Sequence, residues 1–172
     1  MRRVVLTFGL IAGGIMAVMM ILAMAFQDRI GFDKGAIVGY TSMVIAFLMV
    51  FFGIRAYREQ AGGTVSFGRA FGVGLLITLV ATLCYVATWE VMYFEFMPDF
   101  SDKYAAYEID QAKKAGKTDA QIQALQAQMD AFKKAYRNPI YNASLTFLEP
   151  LPVGVIMTLV AAGVLRTKKK TA

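Results

Sequence analysis

Two carboxylates stand in apolar sequence, where an ionised side chain is costly. Glu90 interrupts the run Phe67–Phe94, four residues before its end, and Glu149 opens Glu149-Pro150-Leu151-Pro152-Val153-Gly154. Ionisable groups inside membrane spans mostly face a protein interior or a water-filled cavity. Two nearby carboxylates share a proton or hold a cation between them, so the chemistry on offer is proton or cation movement, or capture of a ligand. From Glu149 to Arg166 a helix rising 1.5 Å per residue covers roughly 25 Å, which sets Glu149 near the hydrocarbon boundary remote from the chain termini. Tyr40, Thr41 and Ser42 enter the second apolar run from that side, and Thr88, Asn142 and Thr146 lie at the same level. The candidate polar or ion site is therefore Glu90, Glu149, Tyr40 and Ser42, with Tyr85 or Tyr93 adjoining. The plainer alternative lets each acid reach the interface and pair with Arg29, Lys34 or Arg137.

Other chemistries find no support. Histidine is absent and Cys84 is the only cysteine, which removes imidazole general bases, His-based metal sites and intramolecular disulfides. Gly72-Val73-Gly74 sits in an apolar helix with no Gly-Lys-Ser/Thr after it, and there is no Gly-x-Ser-x-Gly elbow. The expectation is a non-enzyme without cofactor or metal site. Met16, Met20 and Met24 share a helix face. Such a ladder could suit a soft cation, but adaptable packing is the account the sequence favours.

The elements that must position these residues are long and apolar. Of the 172 residues, 58% are hydrophobic and 17% charged, and the mean hydropathy is +0.52. A soluble domain carries about 25% charged residues. The spacing predicts membrane spans at about residues 4–26, 35–54, 67–94 and 144–165 in one polytopic domain. The first run, at about 20 residues, exceeds the 7–15 of a signal-peptide core, so it reads as a retained span despite Ala23-Met24-Ala25. Gly9, Gly13 and Gly14, Gly35 and Gly39, and Gly68, Gly72 and Gly74 offer small faces for close helix contact.

Residues 99–138 read as a hydrophilic helical hairpin between spans three and four. Its first helix stops at Gly116, and Thr118 with Gln121 forms a capping-box pattern. Ile122, Leu125, Met129, Phe132 and Tyr136 make one apolar stripe, to be covered by the first helix, the membrane surface or a partner. The fold class expected is all-α: an integral membrane four-helix bundle with this hairpin external.

Charge sets the orientation. The face holding the termini and the second loop has nine basic residues against Glu59 alone, whereas the other has nine of each sign. By the positive-inside rule both termini are cytoplasmic. The net charge of +6 clusters beside the spans, which points to lipid headgroups rather than nucleic acid. Arg55, Arg58, Arg69 and Lys168 are the expected cytoplasmic headgroup contacts. Trp89, Tyr93 and Tyr85 are the expected interface aromatics, and a lipid-reading groove among them is an additional reading.

Several strings, in order, carry a resemblance. Gly39-Tyr40-Thr41-Ser42-Met43, Phe51-Phe52-Gly53-Ile54-Arg55 with Tyr57-Arg58, Ser66-Phe67-Gly68-Arg69-Ala70-Phe71, Pro98-Asp99-Phe100 with Lys103-Tyr104, and Glu149 through Gly154 resemble the bacterial membrane family catalogued as domain of unknown function 4199. The resemblance covers nearly the whole chain. It implies a four-span, multi-pass protein of the bacterial inner membrane and supplies no activity. The functional expectation is a small non-enzymatic assembly or accessory protein, forming a homo-oligomer or joining another membrane protein in the lipid bilayer. The alternatives are a proton- or cation-coupled transporter or channel-like protein using the carboxylate pair, and a lipid- or small-ligand-binding protein.

Overall fold

The computed structural model describes residues 1–167. The described chain is all-α: α1 (Arg2–Ala25), α2 (Gln27–Gln60), α3 (Phe67–Val91), a π-helical turn (Met92–Phe96), α4 (Phe100–Lys114), α5 (Asp119–Tyr136), α6 (Pro139–Leu148) and α7 (Leu151–Leu165). Four stretches are long and apolar enough to cross a membrane: Arg2–Ala25, Arg29–Gln60, Phe67–Phe96 and Pro139–Leu165.

Three boundaries differ from the sequence reading. The polar stretch 27–34, expected as a connection, is helical, and only Gly31 breaks it, at φ 72° and ψ 164°. Gly31 can take that conformation because it lacks a Cβ. α3 ends not as an α-helix but in the π turn, closed by Met97 N–H donating to the Met92 carbonyl. The fourth apolar stretch begins at Pro139, before the expected 144, and the Glu149-Pro150 step interrupts it. Pro150 and Pro152 lack the N–H groups a continuous helix would need there. α7 restarts with Gly154 N–H on the Pro150 carbonyl.

The described chain forms two compact units, one of residues 1–87 with residues 147–167, the other of residues 88–146. In the first, α1 packs on α2 and α2 on α7. Met16, Met43, Phe47, Val50, Ile54, Val73 and Ile77 are fully buried there. Met16 and Met20 of the methionine ladder belong to this interior. Its outer faces carry Ile37, Leu83, Ile156 and Val164, all well exposed, as befits helices that are apolar all round.

Glycines govern how closely these helices approach. A Cβ on Gly9 would fall 2.7 Å from the Val80 side chain, and one on Gly13 would fall 2.5 Å from the Cys84 Cβ. These two therefore set the α1–α3 contact. Gly53 lies against Ile77 and Phe8, Gly74 against Thr158, Ile54 and Val50, and Gly154 against Thr78 and Phe47. The other glycines expected on close faces do not contribute: Gly14, Gly39, Gly68 and Gly72 meet nothing within 4 Å, and Gly35 meets only the tip of Gln27. They point away from the neighbouring helices, so a Cβ there would enter open space.

The second unit is built on α4 and α5, which pack against each other. Gly116, at φ 71°, ends α4, with Lys117 N–H reaching back to the Ala112 carbonyl. The capping box forms as its spacing implies: Gln121 N–H donates to Thr118 Oγ1 at 3.4 Å, and Thr118 N–H to Gln121 Oε1 at 3.0 Å. The apolar stripe of α5 turns toward α4, where Phe132 meets the Tyr104 ring at a centroid distance of 6.2 Å.

Candidate functional site

In the first unit the interior polar groups line α3 and α7. Thr78 Oγ1 and Thr158 Oγ1 are 3.3 Å apart, and Thr78 also reaches the Gly154 carbonyl at 3.5 Å. Thr82 is fully buried one turn further on, and its hydroxyl finds no hydrogen-bond partner among the described residues. One turn beyond Thr82 on the same helix, Tyr85 donates its hydroxyl to Glu149 Oε2 at 3.0 Å. The proline-broken step between α6 and α7 thus presents Glu149 to the tyrosine of α3.

The other expected members of the polar site are placed separately. Ser42 is buried and donates to the carbonyl of Gly39 on its own helix at 2.7 Å. Tyr40 is exposed on α2. Among the described residues neither makes a hydrogen bond to Glu149. Glu90 belongs to the second unit. Glu90 is half-buried as a residue, and its Oε1 has no hydrogen-bond partner among the described residues.

The second unit holds an aromatic core. Trp89 and Tyr93 are 7% and 2% exposed, so both rings expected at headgroup depth lie inside this unit. Trp89 stands edge-on to Phe100 at 4.9 Å, Tyr93 edge-on to Tyr136 at 5.1 Å, and Phe132 stacks on Tyr136 at 4.9 Å. Edge-to-face and offset arrangements are those the ring quadrupole favours. The polar tips are also satisfied: Trp89 Nε1 donates to Tyr136 Oη at 2.9 Å, and the Tyr93 and Ser101 hydroxyls share a hydrogen bond at 3.2 Å. Asn142, fully buried, donates to the Tyr136 carbonyl and accepts from Thr146 Oγ1. The sequence places Phe132 and Tyr136 in the apolar stripe and Asn142 level with the acids, but assigns none of them to the site. The available signal was three aromatic pairs at i,i+4 spacing, Trp89/Tyr93, Phe100/Tyr104 and Phe132/Tyr136, which now meet.

Charges tie α5 to α4. Lys133 lies 2.9 Å from Asp130 and 3.4 Å from Asp102, and Arg137 lies 3.8 Å from Asp102. The hydrogen bonds that Lys133 donates to Asp130 and then to Asp102 hold its ammonium above the usual lysine range. On α4, the hydrogen bond from Lys103 at 2.9 Å keeps Asp99 below the usual carboxylate range. Burial, followed by a hydrogen bond with Glu108, pushes the Tyr104 phenol up.

The arginines expected to meet headgroups divide by what they touch. Arg55 Nε bonds Glu59 at 3.1 Å. Arg58 Nε donates to the Gly63 carbonyl at 2.8 Å and so closes the α2–α3 turn. Arg69 lines a cleft beside that turn. Lys168 lies outside the described residues.

These elements define an all-α membrane protein with four membrane-length apolar helices. The chain belongs to the family described as protein of unknown function (DUF4199), which matches residues 7–167. No curated protein and no solved structure shows a match to the chain.

Proposed function

We propose that this chain is a multi-pass protein of the bacterial inner membrane. In this reading the four long helices form a bundle, both termini are cytoplasmic and the α4–α5 hairpin is external. It works without catalysis, as an assembly protein that joins copies of itself or another membrane protein. The observation that carries this reading is the division of the glycines. Gly9, Gly13, Gly53, Gly74 and Gly154 are used up in contacts within the chain, while Gly14, Gly39 and Gly72 leave open space on helix faces. In lipid, where apolar area alone does not drive helices together, small residues permit the close approach that does.

The test is energy transfer between donor- and acceptor-labelled full-length chains in vesicles at decreasing protein density. Transfer should exceed the random-encounter level, and Gly14→Leu or Gly72→Leu should abolish it without loss of helix content. Transfer that only follows random encounter at every density would overturn self-assembly.

A second reading rests on a separate observation, the Tyr85–Glu149 hydrogen bond together with the unpartnered Glu90 oxygen. It makes the protein proton- or cation-coupled. In vesicles with an imposed pH gradient it requires flux by the parent chain that Glu149→Gln and Glu90→Gln abolish. A parent chain without flux rejects it.

A further inference from the structure

Where α2 turns into α3, an open cleft of about 560 Å³ is lined by Tyr57, Ala61, Thr64, Val65, Ser66, Arg69 and Thr167. Its walls are fixed by hydrogen bonds. Val65 N–H donates to Thr167 Oγ1 at 3.1 Å and Thr167 N–H to the Val65 carbonyl at 2.9 Å, so the end of the described chain is laced to the turn. Arg58 braces the same turn through Gly63. Arg69 N–H caps onto Ser66 Oγ at 3.4 Å, which anchors the backbone that carries the arginine.

The lining has one chemical sense. It offers a guanidinium and the hydroxyls of Tyr57, Thr64, Ser66 and Thr167, and no acidic side chain lies among the described lining residues. Arg55 at the same end is engaged by Glu59 and Arg58 by a carbonyl. The Arg69 guanidinium makes no ion pair or hydrogen bond among the described residues. Its fork of five N–H donors matches the oxygens of a phosphate, and hydroxyl donors complete such a shell. The cleft is open to the surface, with room for more than a single ion.

We infer that this cleft is a discrete binding site for a phosphate-bearing group, with Arg69 as its charged anchor and Thr64, Ser66 and Tyr57 as hydroxyl donors. Two sources supply that chemistry, the headgroup of an anionic lipid and a soluble phosphoester. The site is separate from a diffuse basic surface because it singles out Arg69 from its neighbours Arg55 and Arg58.

The experiment is native mass spectrometry of the full-length chain released from detergent, with phosphatidylglycerol, phosphatidylcholine or inorganic phosphate as probe. Phosphatidylglycerol should be retained over phosphatidylcholine. Arg69→Gln should lower that retention about tenfold, in line with losing a charge-assisted contact, while Arg55→Gln leaves it unchanged. Arg69→Lys, which keeps the charge and loses the fork, should fall between them and guards against a folding defect in Arg69→Gln. Failure of millimolar phosphate to displace the lipid assigns the site to a headgroup. Displacement, with protection of Arg69 from arginine-selective phenylglyoxal, assigns it to a soluble phosphoester. Equal losses in Arg69→Gln and Arg55→Gln, or no preference for either anionic probe over the zwitterionic phosphatidylcholine, would overturn the inference.

Discussion

Gly13 and Gly14 are neighbours on α1 that meet opposite surroundings, which makes alanine at each a controlled comparison. The helix-propensity gain from glycine to alanine is about 1 kcal/mol, and it applies to both positions and cancels in their difference. What remains is the fate of the added methyl. At Gly14 it enters open space. At Gly13 it would sit 2.5 Å from the Cys84 Cβ, 2.8 Å from its Sγ and 3.4 Å from the Ala81 Cα. The sulfur can swing aside, but a Cβ and a Cα move only if α1 and α3 separate. Overpacking of this kind costs about 1–3 kcal/mol, so Gly13→Ala should be less stable than Gly14→Ala by about that amount. Transferring the gap across the contact, with Gly13→Ala and Cys84→Gly together, should recover part of the loss, since the closest atom is removed. The assay is unfolding in mixed micelles with increasing dodecyl sulfate, followed by far-ultraviolet circular dichroism. Equal stabilities for the two alanine variants would refute the assignment of Gly13 to the α1–α3 contact. A double variant no better than Gly13→Ala would place the strain elsewhere.

Three further outcomes follow from the second unit. Tyr136→Phe removes the acceptor of Trp89 Nε1 and should destabilise by about 1–3 kcal/mol, the cost of orphaning a buried donor. As Trp89 is the only tryptophan, the emission spectrum checks this directly, and an unchanged spectrum would contradict the contact. Gly116→Ala forces a Cβ into the left-handed region at φ 71° at a cost of about 1–2 kcal/mol. Thr118→Ala removes the cap at about 1 kcal/mol. Amide exchange should quicken at the α4–α5 junction in both variants, and unchanged protection there would count against the turn geometry. The charge pairs give a pH window. Asp99, held low by Lys103, contributes stability at neutral pH that is lost as pH falls through its lowered pKa. Lys133, held high by Asp130 and Asp102, contributes stability that is lost as pH rises through its raised pKa. The thermal midpoint should therefore be flat between the carboxylate and lysine ranges and fall at both ends. Lys133→Met should shrink the alkaline arm and leave the part contributed by Tyr104, whose phenol is also held high, and an alkaline arm of unchanged size would refute the assignment.

Much of this was legible where the determinant is local. The α5 stripe, the Thr118–Gln121 box and the Gly116 stop depend on spacing along one helix or on one backbone angle, and the structure has all three. The four apolar stretches were legible because length and composition alone identify them. The π turn at Met92–Phe96 carries no residue code that spacing would reveal, since any backbone can shift one hydrogen bond from i+4 to i+5. Pro150 and Pro152 announced an irregularity without showing on which side of it the apolar helix continued. Pro139, itself acceptable in a first helical turn, begins α6 ten residues before Glu149, so the break falls inside the apolar stretch.

The candidate site was less legible because its determinants lie across helices. Glu90 and Glu149 stand out in sequence for a shared reason, charge in apolar surroundings, yet their partners are settled by different neighbours. Glu149 receives Tyr85, whereas the Glu90 oxygen receives nothing among the described residues. Arg55, Arg58 and Arg69 look equivalent as positive charge beside a span, and only the acceptors placed near them separate the three. Glu59 takes the first and the Gly63 carbonyl the second, and neither was assigned to them from sequence alone. The same logic applies to Gly13 and Gly14. In an apolar helix the residue type states what is permitted, and the helix opposite decides what is used. That is why composition located the charges and glycines of this chain, while their division into engaged and available groups, on which each functional proposal rests, required the packing of α1, α2, α3 and α7.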